Sequence, residues 1–494
     1  MFSFIKTLSC HVLALSALLL TACSPQSGNN NTQPPAPLPP VPSEAQLEWH
    51  KMEMYAFIHF TTNTFTNLEW GYGDESPEIF NPTALDTDQW MEVFTDAGFT
   101  GVILTAKHHD GFSLWPSEYT DHSVANSPYK DGEGDIVGEV SQSARDYGLK
   151  FGVYLSPWDR NHPDYGTPEY IDYYRNQLEE IFTNYGPIFE MWFDGANGGD
   201  GYYGGANETR NIDRQTYYQW PETLEFVRSL QPEPQVLFFS DAGPDIRWVG
   251  NEDGWVNETN WNTINNDTLY AGQAGINDLL STGEPHGTKW IPAEVDVSIR
   301  PGWFYHPEED SEVKTPEELF DIYLSSVGRG SNLLLNIPPD RRGLIHENDV
   351  ASLRGFRELL DEAFSENLII GNIGITSDQI RGDLPEFGPQ NLIDRNDETY
   401  WAVNNGVTQA SFTVELDGEK EINYVLLKET IRLGQRIKEF SVEAFANEEW
   451  TEVASGTTIG YKRILPVDSI MTNQIRVNII DSQAAPVITA VELY

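Results

Sequence analysis

Cysteine is almost missing from this chain. Of 494 residues only Cys10 and Cys23 carry a thiol, and both lie in the first 23. Beyond them the chain must fold without a disulfide, so its stability rests on packing, which a chain of this length can supply. Basic residues are scarce as well. Lys and Arg total 30 against 76 Asp and Glu, a formal charge of -46. Such a balance excludes a partner with a phosphate backbone, and hence nucleic acid, and reads first as a solvated acidic surface. Long apolar runs are absent from the body of the chain, and the run at residues 12–20 is too short to cross a bilayer.

That short run has the makings of an export signal. Lys6 supplies the positive charge before it, and Leu20-Thr21-Ala22-Cys23 closes it in the form of a bacterial lipobox. Residues 1–22 then read as a lipoprotein signal peptide, with Cys23 left to carry the lipid. Residues 23–45, rich in Pro, Asn and Gln and without periodicity, read as a flexible tether. The expectation is an exported bacterial lipoprotein, periplasmic or at the outer membrane or cell surface, that meets the membrane only through its N-terminal lipid.

Residues 46–372 alternate short β-rich runs with helix-period segments. Eight runs qualify as strands: residues 55–61, 101–107, 151–155, 190–193, 236–240, Trp248 with its neighbours, 290–295 and 332–337. Helical segments at 88–97, 136–147, 169–185, 216–230, 316–327 and 349–363 fall between many of them. The simplest closure is an α/β, TIM-like (β/α)8 barrel. Residues 373–494 lose the helical period and read as an all-β antiparallel sandwich.

In such a barrel the reactive groups stand where strands end. Ile58-His59-Phe60 ends the first strand, Lys107-His108-His109-Asp110 follows the second, Tyr154-Leu155-Ser156-Pro157-Trp158 the third, and Trp192-Phe193-Asp194-Gly195 the fourth. Trp248-Val249-Gly250-Asn251-Glu252 and Ala293-Glu294-Val295-Asp296 come later. Imidazoles, aromatic faces and carboxylates converging on one mouth suit a sugar pocket. Glycoside cleavage needs a carboxylate nucleophile or base and a carboxylic acid that protonates the leaving oxygen. Asp194 qualifies as the first, with Gly195 leaving room for substrate beside the backbone, although a capping role for Asp194 fits the local sequence equally. Adjacent histidines on one strand point to opposite faces, which disfavours a metal held by His108 and His109.

Taken in order, His59, His108-His109 and Trp192-Phe193-Asp194-Gly195 resemble glycoside hydrolase family 29, the α-L-fucosidases, over most of residues 50–368. The resemblance implies a retaining mechanism without a cofactor. Asp194 is then the nucleophile that forms a covalent fucosyl-enzyme. His59, Glu69, His108, His109, Tyr154 and Trp192 contact fucose, with Trp70 beside Glu69 in the family's Glu-Trp step. The stretch Asp245-Ile246-Arg247-Trp248-Val249-Gly250-Asn251-Glu252 is similar to the branch that removes α-1,3/1,4-linked fucose from branched glycans. It makes Glu252 the acid/base, with Glu294 as runner-up. Glu294, Arg300 and Trp303 become pocket or subsite residues, and Arg300 also reads as an ion-pair partner of Glu294 or Asp296. A retaining pair of carboxyls stands roughly 5 to 5.5 Å apart.

Residues 391–401 resemble the early loop of discoidin-like, factor 5/8 type C domains. Its Asp and Asn oxygens could hold a structural Ca2+ or simply close a turn. Trp401 is expected in the core rather than as a sugar platform. Two other readings remain open at this point: a different exo-glycosidase on the same barrel, and a surface glycan-binding lipoprotein without catalysis.

Overall fold

The computed structural model describes residues 31–371 and 373–494. The signal peptide and Cys23 lie outside the described residues. Eight parallel strands close a barrel in chain order: β1 Met54–Ile58, β2 Gly101–Lys107, β3 Lys150–Leu155, β4 Glu190–Trp192, β5 Leu237–Ser240, β6 Ile246–Trp248, β7 Ala293–Ser298 and β8 Asn332–Asn336. Closure is made where Met54 to Phe57 of β1 pair with Leu333 to Asn336 of β8. Nearly every strand residue is buried, because the inner face fills the barrel and the outer face lies under helices.

The helices start where their caps dictate. N-terminal helix α1 (Glu44–His50) has a Ser43/Gln46 capping box. Asp86 caps α2 (Thr87–Asp96), Asp135 caps α3 (Ile136–Asp146), and α4 (Glu169–Asn184) follows Pro168. The segment expected to be helical from residue 216 begins only at Trp220 as α5 (Trp220–Leu230). Gln219 stands at φ 49 and ψ 51, a left-handed conformation that breaks the helix before Pro221. Short α6 (Asn277–Thr282), then α7 (Pro316–Ser325) and α8 (Glu347–Phe364), complete the layer. No helix separates β5 from β6, since residues 241–245 are too few for a helical crossover.

The expected tether takes a different form over its described part. Residues 31–38 are strapped along the sandwich rather than free. Arg381 Nε donates to the Gln33 carbonyl at 2.6 Å, Arg436 Nη2 to the Ala36 carbonyl at 2.7 Å, and Leu38 N to the Leu433 carbonyl at 2.9 Å. Gly434, at φ +87, leaves space for the Leu38 carbonyl. Proline-rich composition discourages helix and strand, but it also preorders an extended segment that guanidinium groups can grip by its carbonyls.

The sandwich is an antiparallel sheet folded on itself. Its two long strands, Ala410–Glu429 and Arg463–Ser482, shift register between Glu415 and Lys420 and again between Ile422 and Tyr424. Trp401, Phe412, Val414, Val442 and Val477 fill its core, and Trp401 is fully buried as expected. Within the loop considered for Ca2+, Asp394 accepts hydrogen bonds from Asn396 N and Thr399 Oγ1, and Asn396 Oδ1 accepts from Glu398 N. The side-chain oxygens of Asp394 and Asn396 thus help close the loop's own turn, while Asp397 and Glu398 face Lys428 and Arg432.

The sandwich docks on the barrel through apolar contacts, with Leu426 and Ile464 joining the barrel core and Phe364 meeting Tyr424 and Tyr494, and through polar ones. Asn260 N donates to Thr458 Oγ1 and Asn262 N to Gln435 Oε1 at 2.9 and 2.8 Å. His50, at the end of α1, stacks on Tyr461 of the sandwich at 5.3 Å. It is fully buried and neither ring nitrogen has a hydrogen-bond partner among the described residues, so burial holds its pKa down to about 3. The folded state therefore cannot take up the proton that the unfolded state binds below about 6.5, and stability falls as pH drops from there towards 3. His50→Phe keeps the stack and removes that loss. In chemical unfolding at pH 5 the variant should gain about 2 kcal/mol relative to its difference at pH 8.

Candidate functional site

The strand ends at the C-terminal mouth of the barrel enclose a cavity of about 330 Å³. Phe57 comes from β1 and His59 from just after it, His108 and His109 directly follow β2, Tyr154 belongs to β3, Trp192 ends β4 and Asp194 lies two residues beyond. Asp241 follows β5, Trp248 and Glu252 belong to β6 and its loop, and Asp296 and Trp303 to β7 and its loop. Trp70 and Arg214 complete the mouth.

Asp194 is the best-supported carboxylate of the cavity. Its Oδ2 accepts from the Tyr154 hydroxyl at 2.8 Å, and its Oδ1 from Ala196 N at 2.6 Å. His109 Nε2 stands 3.7 Å from Oδ2. Burial raises its pKa, and the two hydrogen bonds oppose the rise by stabilising the anion. The bond to Ala196 N closes a turn, but a loop rather than a helix follows, so Asp194 is no helix cap, and the other oxygen faces the cavity's groups. Gly195, which lines the cavity, is also required by its neighbour Asp241. A Cβ there would lie 2.3 Å from both carboxylate oxygens of Asp241, whose Oδ2 is tied to Gly272 N at 2.7 Å. Gly195→Ala should lower kcat/KM by about tenfold to a hundredfold through displacement of Asp194 and Asp241, while the melting temperature changes little.

The imidazoles are held neutral and oriented. Burial pushes His59 and His109 down to about 3 and His108 well below its usual range. Asn336 gives its amide hydrogens to Ser298 Oγ and the Trp303 carbonyl, so its Oδ1 accepts from His59 Nδ1 at 2.8 Å. Ser156 Oγ donates to the Trp158 carbonyl and so accepts from His109 Nδ1 at 2.7 Å. Both rings then carry hydrogen on Nδ1 and present a bare Nε2, an acceptor for a sugar hydroxyl. Among the described residues no group of three or more His, Cys, Asp or Glu is gathered so as to hold a metal ion.

Glu252 lies across the same cavity, and Trp303 Nε1 donates to its Oε2 at 3.3 Å. Burial raises its pKa, and the negative charge of Asp194 raises it further, against the Trp303 hydrogen bond. Trp70, 50% exposed, meets His109 and Trp158 edge-on at the mouth.

Three expected site residues do not line the cavity. Glu69 sits behind it, where its carboxylate accepts from Trp303 N at 2.8 Å and Phe304 N at 3.2 Å and meets His306 Nε2 at 2.5 Å, so it holds the loop that carries Trp303. Glu294 points into the barrel below Trp192, whose Nε1 donates to it at 2.9 Å. Arg300 forms a buried ion pair, with Asp349 at 2.8 Å and Asp310 at 3.0 Å instead of Glu294 or Asp296. Conversely, Phe57, Arg214, Asp241, Trp248 and Asp296 line the cavity without having been assigned to it. Asp241 and Asp296 carried the same signal as Asp194, a carboxylate within or just after an apolar strand. Asp296 accepts from Trp248 Nε1 at 2.8 Å, and burial with the charges of Glu252 and Glu294 pushes its pKa well up.

A family model described as alpha-L-fucosidase matches residues 38–362, and one described as an F5/8 type C domain matches residues 375–493. The chain is 41% identical to Alpha-L-fucosidase 1 of Arabidopsis thaliana, over 93% of this chain and 88% of that protein. It is 45% identical to the crystal structure of a glycoside hydrolase 29 family member from an unknown rumen bacterium, with TM-score 0.81 over 93% of this chain and 78% of that one. A Ruminococcus gnavus GH29 fucosidase in complex with fucose is 33% identical, with TM-score 0.82 over 94% of this chain and 96% of that one.

Proposed function

The chain belongs to the α-L-fucosidase family, glycoside hydrolase family 29, and acts as an exo-α-L-fucosidase, and from that premise we propose a retaining double displacement with Asp194 as nucleophile and Glu252 as acid/base. The observation that carries the assignment is that both carboxyls line one cavity, with the charge of Asp194 felt at Glu252.

In the first step Asp194 attacks the anomeric carbon of fucose while Glu252 gives its proton to the leaving glycosidic oxygen. The fucosyl ester that results has consumed the negative charge of Asp194, so the pKa of Glu252 falls and it becomes a base. Glu252 then takes a proton from water as the water oxygen attacks the anomeric carbon, Asp194 leaves, and fucose is released with its configuration retained. Neutral His59 and His109 accept hydroxyl hydrogens of the sugar, and Trp303 offers its face.

The preferred substrate in this reading is a branched glycan with α-1,3/1,4-linked fucose, the leaving sugar lying towards Trp303 and Trp70. Purified protein should release fucose from an aryl α-L-fucoside and from a Lewis-type trisaccharide, and much more slowly from an α-1,2-linked one. Equal turnover of the two linkages would overturn the preference while leaving the fucosidase intact. Localisation belongs to the same proposal: Cys23 carries a lipid that holds the enzyme at the cell envelope, so incorporation of radiolabelled palmitate should vanish in Cys23→Ser. Among the described residues no helix is long and apolar enough to cross a membrane.

A further inference from the structure

Behind Trp192, on the barrel axis, lies a polar cluster that the two-step mechanism does not use. Glu190 of β4 and Glu294 of β7 are both 0% exposed. Their partners are Tyr55, whose hydroxyl hydrogen-bonds Glu294 Oε2 and lies 3.2 Å from Glu190 Oε2, and two indoles. Trp49 Nε1 stands 3.0 Å from Glu190 Oε2 and 2.9 Å from the Tyr55 oxygen, and Trp192 Nε1 stands 2.9 Å from Glu294 Oε1. No cation is among these partners. Glu190 Oε1 has no partner donating to it among the described residues.

Two carboxylates cannot both stay charged in such a place, because desolvation and mutual repulsion act together against the second charge. One hydrogen must remain with the pair. Glu190 Oε1 is the oxygen left free to carry it, with Glu294 as the acceptor. Burial and the neighbouring Glu294 charge push the Glu190 pKa well up, and burial raises that of Glu294 as well.

Trp192 is where the cluster meets the reaction. Its ring is stacked between Phe239, at 4.0 Å and 10°, and Tyr154, at 5.4 Å and 28°. Stacking fixes the plane of an indole but leaves it free to slide and turn within that plane. The hydrogen bond to Glu294 removes this freedom. Tyr154, packed on the other face of the indole, gives its hydroxyl hydrogen to Asp194. We propose that Glu190 and Glu294 share one proton and act together to position Trp192, and through it the Tyr154 hydroxyl that holds Asp194, which makes Glu294 a positioning residue of the reaction although it does not line the cavity.

The proposal rests on the fucosidase reading, which wild-type turnover of an aryl fucoside tests first and separately. Three variants then decide: Glu294→Gln, Glu294→Leu and, for reference, Glu252→Ala. Glutamine keeps an oxygen for the Trp192 hydrogen and adds its own hydrogens towards Glu190, so at least a third of the wild-type kcat/KM is expected. Leucine leaves the indole hydrogen unpaired, and kcat should fall by about tenfold to a hundredfold. That fall should be the same for aryl fucosides with good and poor leaving groups, because protonation of the leaving oxygen is untouched; Glu252→Ala should spare the good one. A folded Glu294→Leu with wild-type kcat would overturn the proposal, as would a loss in Glu294→Gln equal to that in leucine. Should Glu294→Leu not fold, infrared spectroscopy of the wild type still decides. In the wild type minus Glu190→Gln difference spectrum near neutral pH, one carbonyl stretch of a buried protonated carboxylic acid should stand out beyond those of Asp296 and Glu252, which both proteins share, and identical spectra for the two proteins would sink the shared proton.

Discussion

Asp194→Ala should retain no more than about one part in ten thousand of the wild-type kcat on an aryl α-L-fucoside, by analogy with loss of a nucleophile in other covalent mechanisms. The expectation follows from what surrounds the carboxylate. Tyr154 and Ala196 N hold both oxygens, and no second carboxylate receives the same pair of donors. The other acids of the cavity are engaged elsewhere: Asp241 with Gly272 N, Asp296 with Trp248, and Glu252 with Trp303. None can stand in for the missing nucleophile. Added azide, small enough to enter the space vacated by the side chain, should restore turnover and give a fucosyl azide of inverted configuration. Steady-state rates and the proton NMR spectrum of the azide check both statements.

Glu252→Ala should cost about a hundredfold to ten-thousandfold in kcat on a fucoside with a poor leaving group. Azide should now yield the azide of retained configuration, since it attacks the fucosyl-enzyme in place of activated water. The pH profile carries the same assignment. Activity requires Asp194 ionised and Glu252 protonated, so it rises as pH climbs through the pKa of Asp194 and falls as pH passes that of Glu252. Burial raises both, and the charge of Asp194 adds to the rise at Glu252. Both limbs should therefore lie above the ordinary carboxylate range, and removing Glu252 should flatten the alkaline one. A profile whose alkaline limb survives in Glu252→Ala would transfer the acid role to another group.

Much of this was legible in the chain before its fold. Eight short apolar runs ending in His, Trp, Asp and Glu are a local pattern, and the barrel rule places those ends on one face. His59, His108, His109, Tyr154, Trp192, Asp194, Glu252 and Trp303 all reached the cavity for that reason. What was not legible depends on which way a side chain points and on its distant partner. Glu294 lies on a barrel strand, yet it faces the barrel axis and meets Glu190 rather than the mouth. Arg300 finds its acid 49 residues further along in Asp349. The strap was read as loose because its carbonyl partners, Arg381 and Arg436, follow Gln33 and Ala36 by 348 and 400 residues. Gly195 was rightly marked, but the group that forbids a side chain there is Asp241, on the next strand's loop.

The most direct test of the account is to inactivate the enzyme with 2-deoxy-2-fluoro-α-L-fucosyl fluoride and to locate the label by peptide mass spectrometry. The fluorine slows both steps while the fluoride leaves readily, so the ester accumulates. A single fluorofucosyl group on the peptide that carries Asp194, absent from Asp194→Ala, is the predicted result. A label on another carboxylate, or fucose released with inverted configuration and no label at all, would contradict it.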